Sequence, residues 1–278
     1  MNTHRQEVEQ GQRFEFGANW KLFLGALDDR RIALAEESLR ANLGVRNLQG
    51  QRFLDIGSGS GLFSLVARRL GAQVHSFDYD PQSVACTREL RQRYFPGDPG
   101  WVVAPGSVLD DDYLRTLGQW DVVYSWGVLH HSGDQWRALA NASALVADGG
   151  TLFIALYNDQ GWGSRAWTRT KAAYCAAPVF LKPLVLGLSM VRLWGPTTVK
   201  DLLRGRPGAT WRAYGKGDGR GMSPWRDVVD WVGGYPFEVS RPEEVFDFLH
   251  GRGFQLRKLR TCGGGHGCNE FIFVKAAR

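Results

Sequence analysis

The alternation of apolar and polar positions between residues 50 and 158 predicts an α/β fold. Short apolar runs with the length of strands alternate there with segments that have the length of helices. The five strand-like runs are QRFLDIG, AQVHSFD, WVVAPGSVLD, DVVYSWGV and TLFIALYN. Helix-like segments such as SLVARRLG and PQSVACTRELRQRYF separate them, and Pro81 stands at the start of the latter. Strands that alternate with helices require crossover connections, so the pattern predicts a mostly parallel sheet with helices on both faces.

The segments on either side complete a predicted single domain over residues 1–278. Residues 1–45 are predicted to form a helical cap that ends at Gly44. Residues 159–250 lack the strand rhythm and are interpreted as an inserted substrate-recognition region that follows the fifth strand. Residues 251–278 contain FQLRKLR and NEFIFVK, the final strand hairpin. We expect the sixth strand to run parallel to its neighbours and the last strand to return antiparallel beside it.

One stretch, residues 172–194, is apolar enough to need a test for membrane spanning. Its sequence AAYCAAPVFLKPLVLGLSMVRLW is interrupted by Pro178, Lys182, Pro183 and Arg192. These residues argue against a spanning helix, which needs about 20 predominantly apolar residues. The stretch is predicted to be a buried or interfacial helical segment, with a core helix as the ordinary interpretation and peripheral membrane contact as the alternative.

The composition is that of an ordinary globular protein. The chain is 44% apolar and 22% charged, and its net charge of +6 is spread over interleaved acids and bases. Since no block of Lys and Arg is present, no nucleic-acid partner is expected. The four cysteines are scattered and do not form a disulfide scaffold. The N-terminus has no apolar core typical of a signal peptide, so a cytoplasmic location is expected.

The glycine-rich run FLDIGSGSGLFSL, residues 53–65, carries the chemistry. An apolar strand ends at Asp55, and Gly57, Gly59 and Gly61 follow at alternate positions. Glycine suits a loop in which a ligand lies against the backbone or in which φ is positive, and the first amides of the next helix favour a negative group. The spacing is not the dinucleotide fingerprint, because Leu62 stands where the third glycine of that motif would be, and no Gly-Lys-Ser/Thr follows.

This run is similar to the first motif of class I S-adenosylmethionine-dependent methyltransferases. Three further elements follow in the order of that family: HSFDYDP after the second strand, PGSVLD after the third, and DVVYSWGVLHHSGD at the fourth. The fourth element resembles the ubiquinone-biosynthesis O-methyltransferases and their small-molecule-methylating relatives. The resemblance covers residues 50–158 and, by position, the final strand pair. It implies a Rossmann-like seven-stranded sheet with the last strand antiparallel, S-adenosyl-L-methionine as cofactor and S-adenosyl-L-homocysteine as product.

The resemblance also implies a set of cofactor-binding residues. Asp78 would accept hydrogen bonds from both ribose hydroxyls, while Asp55 would cap the glycine turn and orient the methionine end. The alternative interpretation involves no ligand: Asp78 would be an exposed loop acid, and Asp55 would be a buried acid that caps the turn. The implied set is Asp55, Gly57, Ser58, Gly59, Gly61, Asp78, Tyr79, Ser107, Val108, Ser125 and Trp126.

Candidate catalytic bases follow the fourth strand, at the edge where parallel sheets bind ligands. His130 and His131 have the residue type that suits general-base chemistry near neutral pH, and a histidine of the ubiquinone-type relatives matches His131. Each could instead be structural. Substrate-binding candidates are Asn158 after the fifth strand and Trp225 and Tyr235 in the insertion, although ordinary packing would also explain the aromatic residues.

The turn TCGGGHGCNE joins the last two strands and is expected at the same edge as the glycine loop. Cys262 and Asn269 are predicted to border the acceptor pocket, with His266 as a third catalytic candidate. The alternatives are a redox pair, a plain hairpin, or zinc. The spacing to Cys268 offers only three zinc ligands without a C-x2-C pair, so no metal is predicted.

The function predicted is transfer of a methyl group to an O or N of a small-molecule acceptor by in-line displacement. The alternative is a macromolecule methyltransferase that acts on protein or RNA, but the Asn-Pro-Pro-Tyr type of signature is absent after the fourth strand. A nicotinamide-dependent oxidoreductase and a non-catalytic binding module also stay open. The oligomeric state is expected to be a monomer or homodimer.

Overall fold

The computed structural model describes residues 3–214, 224–263 and 265–277. The chain forms two compact units. The helical unit comprises Met1–Glu15 and Arg165–Pro236, and the sheet unit comprises Phe16–Ser164 and Phe237–Arg278. Part of the predicted insertion, residues 215–223, lies outside the described residues. The helices of the predicted 1–45 cap are divided between the two units, and the assignment of 159–250 to substrate recognition stays a prediction.

The sheet unit is built on seven strands in the order β3-β2-β1-β4-β5-β7-β6. The strands are β1 Arg52–Ile56, β2 Gln73–Asp78, β3 Trp101–Pro105, β4 Trp120–Trp126, β5 Val146–Tyr157, β6 Phe254–Arg260 and β7 Cys268–Lys275. Strands β1 to β5 pair in parallel, whereas β7 is antiparallel to both β5 and β6. This arrangement confirms the predicted mostly parallel sheet with an antiparallel last strand.

The prediction for the sixth strand was wrong in one respect, because β6 pairs with β7 and not with a parallel neighbour. Burial explains the order. Phe271, Ile272 and Phe273 of β7 are buried on both faces of the sheet, so β7 occupies an interior position between β5 and β6. The sequence FQLRKLR of β6 is mostly exposed, as suits an edge strand that carries cations.

Helices surround the sheet and also form the second unit. The helices are α1 Thr3–Glu9, α2 Gly17–Ala26, α3 Asp29–Leu43, α4 Leu62–Arg69, α5 Pro81–Tyr94, α6 Asp111–Leu117, α7 Gln135–Ala144, α8 Trp162–Ala176, α9 Lys182–Leu203, α10 Ala209–Ala213, α11 Pro224–Gly233 and α12 Pro242–His250, with a 3-10 turn at Leu129–His131. The predicted helix end at Gly44 is confirmed, since Gly44 has φ 68° and its N–H bonds to the Arg40 carbonyl.

Two apolar cores lie on the two faces of the sheet, as the pleat of β1 illustrates. Leu54 and Ile56 belong to one core with residues of α7 and α12, whereas Phe53 belongs to the other core with residues of α3, α4 and α5. Asp55 is two residues from Phe53, so its side chain shares the face covered by α4. This alternation places a carboxylate inside an apolar layer immediately before the glycine loop.

The interpretation of residues 172–194 as a core helix was wrong for much of its surface. The stretch forms the end of α8 and the first half of α9, with a break between them. Tyr174 and Leu186 are buried, but Phe180, Leu184 and Leu188 are exposed. The reason is that α9 packs through one face and leaves the other uncovered. None of the described helices combines the length and the apolarity that are needed to cross a membrane.

Candidate active site

The glycine loop between β1 and α4 has a backbone conformation that strongly favours glycine. Gly57 and Gly59 have φ of 75° and 54°, in the left-handed region. A Cβ on Gly57 would lie 2.3 Å from Cγ1 of Val128, and one on Gly59 would lie 3.0 Å from Cε2 of Trp20. Both glycines are therefore required by close neighbours as well as by their dihedral angles.

Hydrogen bonds hold this loop against the end of β2. The amides of Gly57 and Ser58 both donate to the carbonyl of Phe77, at 2.9 and 3.2 Å. The hydroxyl of Ser58 lies 2.9 Å from that of Thr87 on α5. The loop is thus tied to β2 and α5 and forms a fixed surface at the carboxyl edge of the parallel strands, where open α/β sheets bind their ligands.

Asp78 ends β2 directly beside the loop. Its carboxylate accepts hydrogen bonds from the amides of Gly59 and Asp80, each at 2.9 Å. Burial raises the pKa of Asp78 to about 6, while these two amide donors act in the opposite direction. The structure therefore brings together Asp78 and Gly59, which lie 19 residues apart in the sequence. Tyr79 follows in the same turn.

Asp55 ends a buried chain of hydrogen bonds that crosses the core. The indole N–H of Trp101 donates to Ser76 at 2.8 Å, the hydroxyls of Ser76 and Ser64 lie 2.6 Å apart, and Ser64 donates to Asp55 at 2.5 Å. Because Ser64 gives its proton to Asp55, Ser76 must donate to Ser64, and all three protons are directed toward the carboxylate. Burial raises the pKa of Asp55 to about 7, opposed by the Ser64 hydrogen bond. Asp55 is thus bonded to Ser64 of α4, and both its capping of the glycine turn and its contact with the cofactor stay predictions.

Helix α2 closes over the glycine loop, which the sequence analysis missed. The amide of Gly17 donates to a carboxylate oxygen of Asp80 at 2.8 Å, and a Cβ on Gly17 would lie 2.4 Å from the Cβ of Gln82. This close approach fixes the start of α2 against α5, and it sets the ring of Trp20 against Gly59. No local pattern marks Trp20, because its contact is with a residue far along the chain.

An aromatic cluster lies at the carboxyl ends of β4 and β5. The ring of His131 is 4.9 Å from that of Phe16 and 5.5 Å from that of Tyr157, and Tyr157 is 5.2 Å from Phe237. The ring of His130 is 3.9 Å from Tyr157 and 4.5 Å from His131. We call these five residues the aromatic cluster. The contact of Val128 with Gly57 places the 3-10 turn that carries both histidines next to the glycine loop.

The two histidines differ in burial and bonding. His130 is fully buried, and its Nδ1 accepts the N–H of Tyr157 at 3.2 Å, so the neutral ring carries its proton on Nε2. His131 is partly exposed within the aromatic cluster. A group that removes a proton from a bound acceptor must be reachable, and His131 meets this condition while His130 supports the strand end.

Glu238 anchors the loop that follows these histidines, and the sequence analysis also missed it. Its amide donates to the carbonyl of His130 at 3.0 Å, and its carboxylate accepts the amide of Gln135 at 2.9 Å. Burial raises the pKa of Glu238. Its neighbour Phe237 belongs to the aromatic cluster, so the segment before α12 supports the site from a distant part of the chain.

Other predicted cofactor residues have mainly structural contacts. Ser125 is fully buried, and its hydroxyl donates to the carbonyl of Ile56 at 3.0 Å. Trp126 donates from its indole nitrogen to Glu270 at 3.2 Å. Ser107 accepts the amide of Leu109 at 3.1 Å, while Val108 is buried in a core. Their role in holding a cofactor stays a prediction.

The turn between β6 and β7 is tied to the end of β5 through two asparagines. Asn269 accepts the amide of Cys262 at 3.1 Å and donates to Asn158 at 2.9 Å. His266 is exposed in this turn. Among the residues that the structure describes, no three His, Cys, Asp or Glu side chains are grouped so that they could hold a metal ion. The structure thus brings Asn158, Asn269 and Cys262 together.

The remaining two predicted substrate residues belong to the helical unit. Trp225 is exposed on α11. Tyr235 precedes a cis peptide bond to Pro236, and its carbonyl accepts the amide of Phe14 at 2.8 Å. Their role in binding an acceptor also stays a prediction.

The comparison with protein families decides the family of the chain. The family model described as a methyltransferase domain matches residues 27–180, more than half of the chain. The chain belongs to the methyltransferase domain family. This confirms the predictions of a class I S-adenosylmethionine-dependent methyltransferase and of its cofactor.

Curated relatives cover part of the protein. The ubiquinone biosynthesis O-methyltransferase of Brucella ovis is 30% identical over 159 residues, which are 54% of this chain and 52% of that protein. The protein of the same name from Xanthomonas campestris is 32% identical over 132 residues, 48% of this chain and 49% of that protein. The ribosomal protein L11 methyltransferase of Methylococcus capsulatus is 42% identical over 71 residues, 25% of this chain and 24% of that protein. The chain thus spans about half the length of the ubiquinone-type relatives.

Solved structures show the same fold at low identity. A putative methyltransferase of Haloferax volcanii, in complex with the Trm112 activator, has a TM-score of 0.53 at 12% identity, with 95% of this chain and 99% of that chain covered. Magnesium protoporphyrin IX methyltransferase from Synechocystis, with bound SAH, has a TM-score of 0.50 at 13% identity, covering 99% and 89%. These similarities support the methyltransferase fold of the chain.

Proposed function

We propose that this methyltransferase transfers the methyl group of S-adenosylmethionine to a hydroxyl oxygen of a small aromatic acceptor. The observation that carries the proposal is the aromatic cluster beside the glycine loop, with His131 partly exposed within it. Flat rings at this edge of the sheet suit a flat acceptor, and a histidine suits removal of a hydroxyl proton. The ubiquinone biosynthesis O-methyltransferases among its relatives support the same type of acceptor.

The glycine loop and its surroundings fit the cofactor. The backbone of Gly57 and Gly59 lies close against Val128 and Trp20, and the carboxylate of Asp78 stands beside Gly59 as an acceptor for ribose hydroxyls. Trp20 provides an apolar cover against Gly59. When bound, the cofactor supplies an electrophilic methyl group on a positively charged sulfur.

The chain's own residues then have three tasks. The rings of Phe16, Tyr157 and Phe237 hold the acceptor and keep water from it. His131, a base near neutral pH, takes the proton of the acceptor hydroxyl as its oxygen attacks the methyl carbon in line. Glu238 holds the carbonyl of His130 and the first turn of α7, so it fixes the loop on which His131 lies.

A macromolecular acceptor has weaker support. The match to the ribosomal protein L11 methyltransferase extends over only 25% of this chain. By contrast, the ubiquinone-type match extends over about half of this chain. The small-molecule acceptor is therefore the better supported of the two, and the macromolecular acceptor is an outcome of the experiment below.

The experiment measures transfer of a labelled methyl group from S-adenosylmethionine to a panel of phenols and catechols, with total protein and RNA as competing acceptors. We expect turnover with at least one phenolic compound and its loss in His131→Ala. Label that enters only protein or RNA would contradict the small-molecule acceptor. A parallel calorimetric titration with S-adenosylhomocysteine and with a nicotinamide dinucleotide tests the cofactor, where binding of the dinucleotide alone would refute the site assignment.

A further inference from the structure

Helix α9 of the helical unit and the segments that flank it expose an unusual amount of apolar surface. Here the α9 face denotes the exposed apolar side chains on α9 and on the segments just before and after it. They are Val179, Phe180, Leu181, Leu184, Leu188, Val191, Val199, Leu202, Leu203, Trp211 and Tyr214, with exposures between 37% and 83%. Most of the large exposed hydrophobic side chains of the described residues belong to this set. A concentration of this kind marks an interaction surface, because isolated exposed hydrophobic residues are ordinary and contiguous ones are not.

The spacing along α9 shows that five of these side chains form one stripe on the helix. Leu184, Leu188 and Val191 are separated by four and three residues, and Val199 and Leu202 continue the same helical period. On the packed side, Leu186 and Ser189 are buried. The helix therefore satisfies one face by packing within its unit and leaves a second apolar face to solvent.

The charge of the same segment is strongly positive. Residues 177–214 contain six Lys or Arg and one Asp, a net charge of +5 against +6 for the whole chain. The single acid, Asp201, accepts hydrogen bonds from the amide and hydroxyl of Thr210 at 2.8 and 2.9 Å, and these bonds hold its pKa below the ordinary value. The cations are Lys182, Arg192, Lys200, Arg204, Arg206 and Arg212.

We propose that the α9 face docks this protein onto the surface of an anionic lipid membrane. A helix that combines an apolar stripe with Lys and Arg lies in the interface, with its apolar side chains at the acyl boundary and its cations at the anionic headgroups. The helix does not cross the bilayer, since it is too polar to span and carries Pro196 and three cations within its length.

Charge decides between a membrane and a second copy of the chain. In a two-fold dimer the same patch meets itself, so the cations of one copy would face those of the other. With one acid per six cations, such an interface lacks the opposite charges that would offset the repulsion. An anionic lipid surface supplies both the negative charge and the apolar layer. The proposal does not depend on which acceptor is methylated.

The test is flotation of the full-length protein with two kinds of vesicle: phosphatidylcholine alone, and equimolar phosphatidylcholine and phosphatidylglycerol. We expect binding to the anionic vesicles, and weaker binding as salt is raised. Leu188→Glu and Val191→Glu should each reduce binding on the order of tenfold, because each removes an apolar side chain that would be inserted into the lipid. Lys200→Ala should reduce it about fivefold. Leu34→Glu, which changes an exposed leucine of α3, is the matched control and should bind like the wild type.

Several outcomes would overturn the proposal. Three outcomes with the wild-type protein would do so: equal binding to both kinds of vesicle, absence of binding, or binding that salt does not affect. Full binding by a Leu188→Glu protein would exclude the α9 face. Light scattering that shows a dimer, dissociated by Leu188→Glu, together with no vesicle binding, would assign the face to a second copy. Circular dichroism and titration with S-adenosylhomocysteine confirm that each variant is folded.

Discussion

Replacement of Asp55 by asparagine should change how the stability of the protein depends on pH. Asp55 is 2% exposed, and burial raises its pKa from 3.8 to about 7. The asparagine side chain would be nearly the same size and would keep an oxygen that can accept from Ser64, but it cannot ionise. The variant therefore removes the titration while retaining most of the packing.

The expected magnitude follows from the difference between the two pKa values. In the range from about pH 4 to pH 7 the folded state holds a proton on Asp55 that the unfolded chain has lost, so the free energy of unfolding falls as pH rises. Since one pKa unit corresponds to about 1.4 kcal/mol, the change from 3.8 to about 7 amounts to about 4 kcal/mol. This loss in the free energy of unfolding is complete above the pKa of Asp55 in the folded state, and it disappears below the pKa of Asp55 in the unfolded chain.

Urea unfolding followed by circular dichroism at a series of pH values measures this effect. Relative to the wild type, Asp55→Asn should gain stability steadily from acid to neutral pH. Any constant cost of the new amide, about 1–3 kcal/mol, does not alter this slope. Asp112→Asn, at a side chain that is 89% exposed, is the matched control for replacing a carboxylate with an amide at the surface. Parallel curves for Asp55→Asn and the wild type would refute the assignment of a raised pKa to Asp55.

Three further predictions concern the cofactor and acceptor sites. Asp78→Ala should weaken binding of S-adenosylhomocysteine by about 1–3 kcal/mol in calorimetry, because charge-assisted hydrogen bonds are lost. The affinity of the wild type should decrease when the pH is lowered below about 6, since Asp78 is then protonated. Unchanged affinity would contradict the assignment of Asp78 to the ribose. Trp20→Ala should weaken the same binding by about 1 kcal/mol and Trp20→Phe by less, since the ring covers Gly59; equal affinities for all three proteins would exclude this cover. His131→Ala should lower kcat at least about 100-fold and leave S-adenosylhomocysteine affinity unchanged, whereas His250→Ala should retain activity; full activity of His131→Ala would make that residue structural.

The sequence by itself determined the elements that depend on neighbouring residues. The apolar runs predicted five parallel strands, and Gly44 marked the end of a helix, because strand pleat, helix period and caps are local properties. The glycine loop and Asp78 could also be predicted as cofactor-binding candidates, since each stands directly at the end of a strand. Parallel strands bring their carboxyl ends to one edge, so Asp78 and the glycine loop were expected at the same edge, while the hydrogen bond between Asp78 and Gly59 came from the structure.

Only the tertiary structure showed which distant residues lie against the candidate site. Trp20 covers Gly59, Phe16 contacts His131, and Glu238 bonds to the loop after β4, although no periodic pattern links these positions. The proposal of His131 and not His130 as the base likewise depended on burial and on the Nδ1 contact of His130 with Tyr157.

The order of the last strands and the exposure of α9 were also tertiary outcomes. An apolar run such as that of α9 has the same sequence pattern whether a partner covers it or solvent does. Similarly, β7 lies inside the sheet because its side chains are buried on both faces, and β6 is left at the edge. The physical reason is common to both: local periodicity specifies which face is apolar, and long-range packing specifies what that face meets.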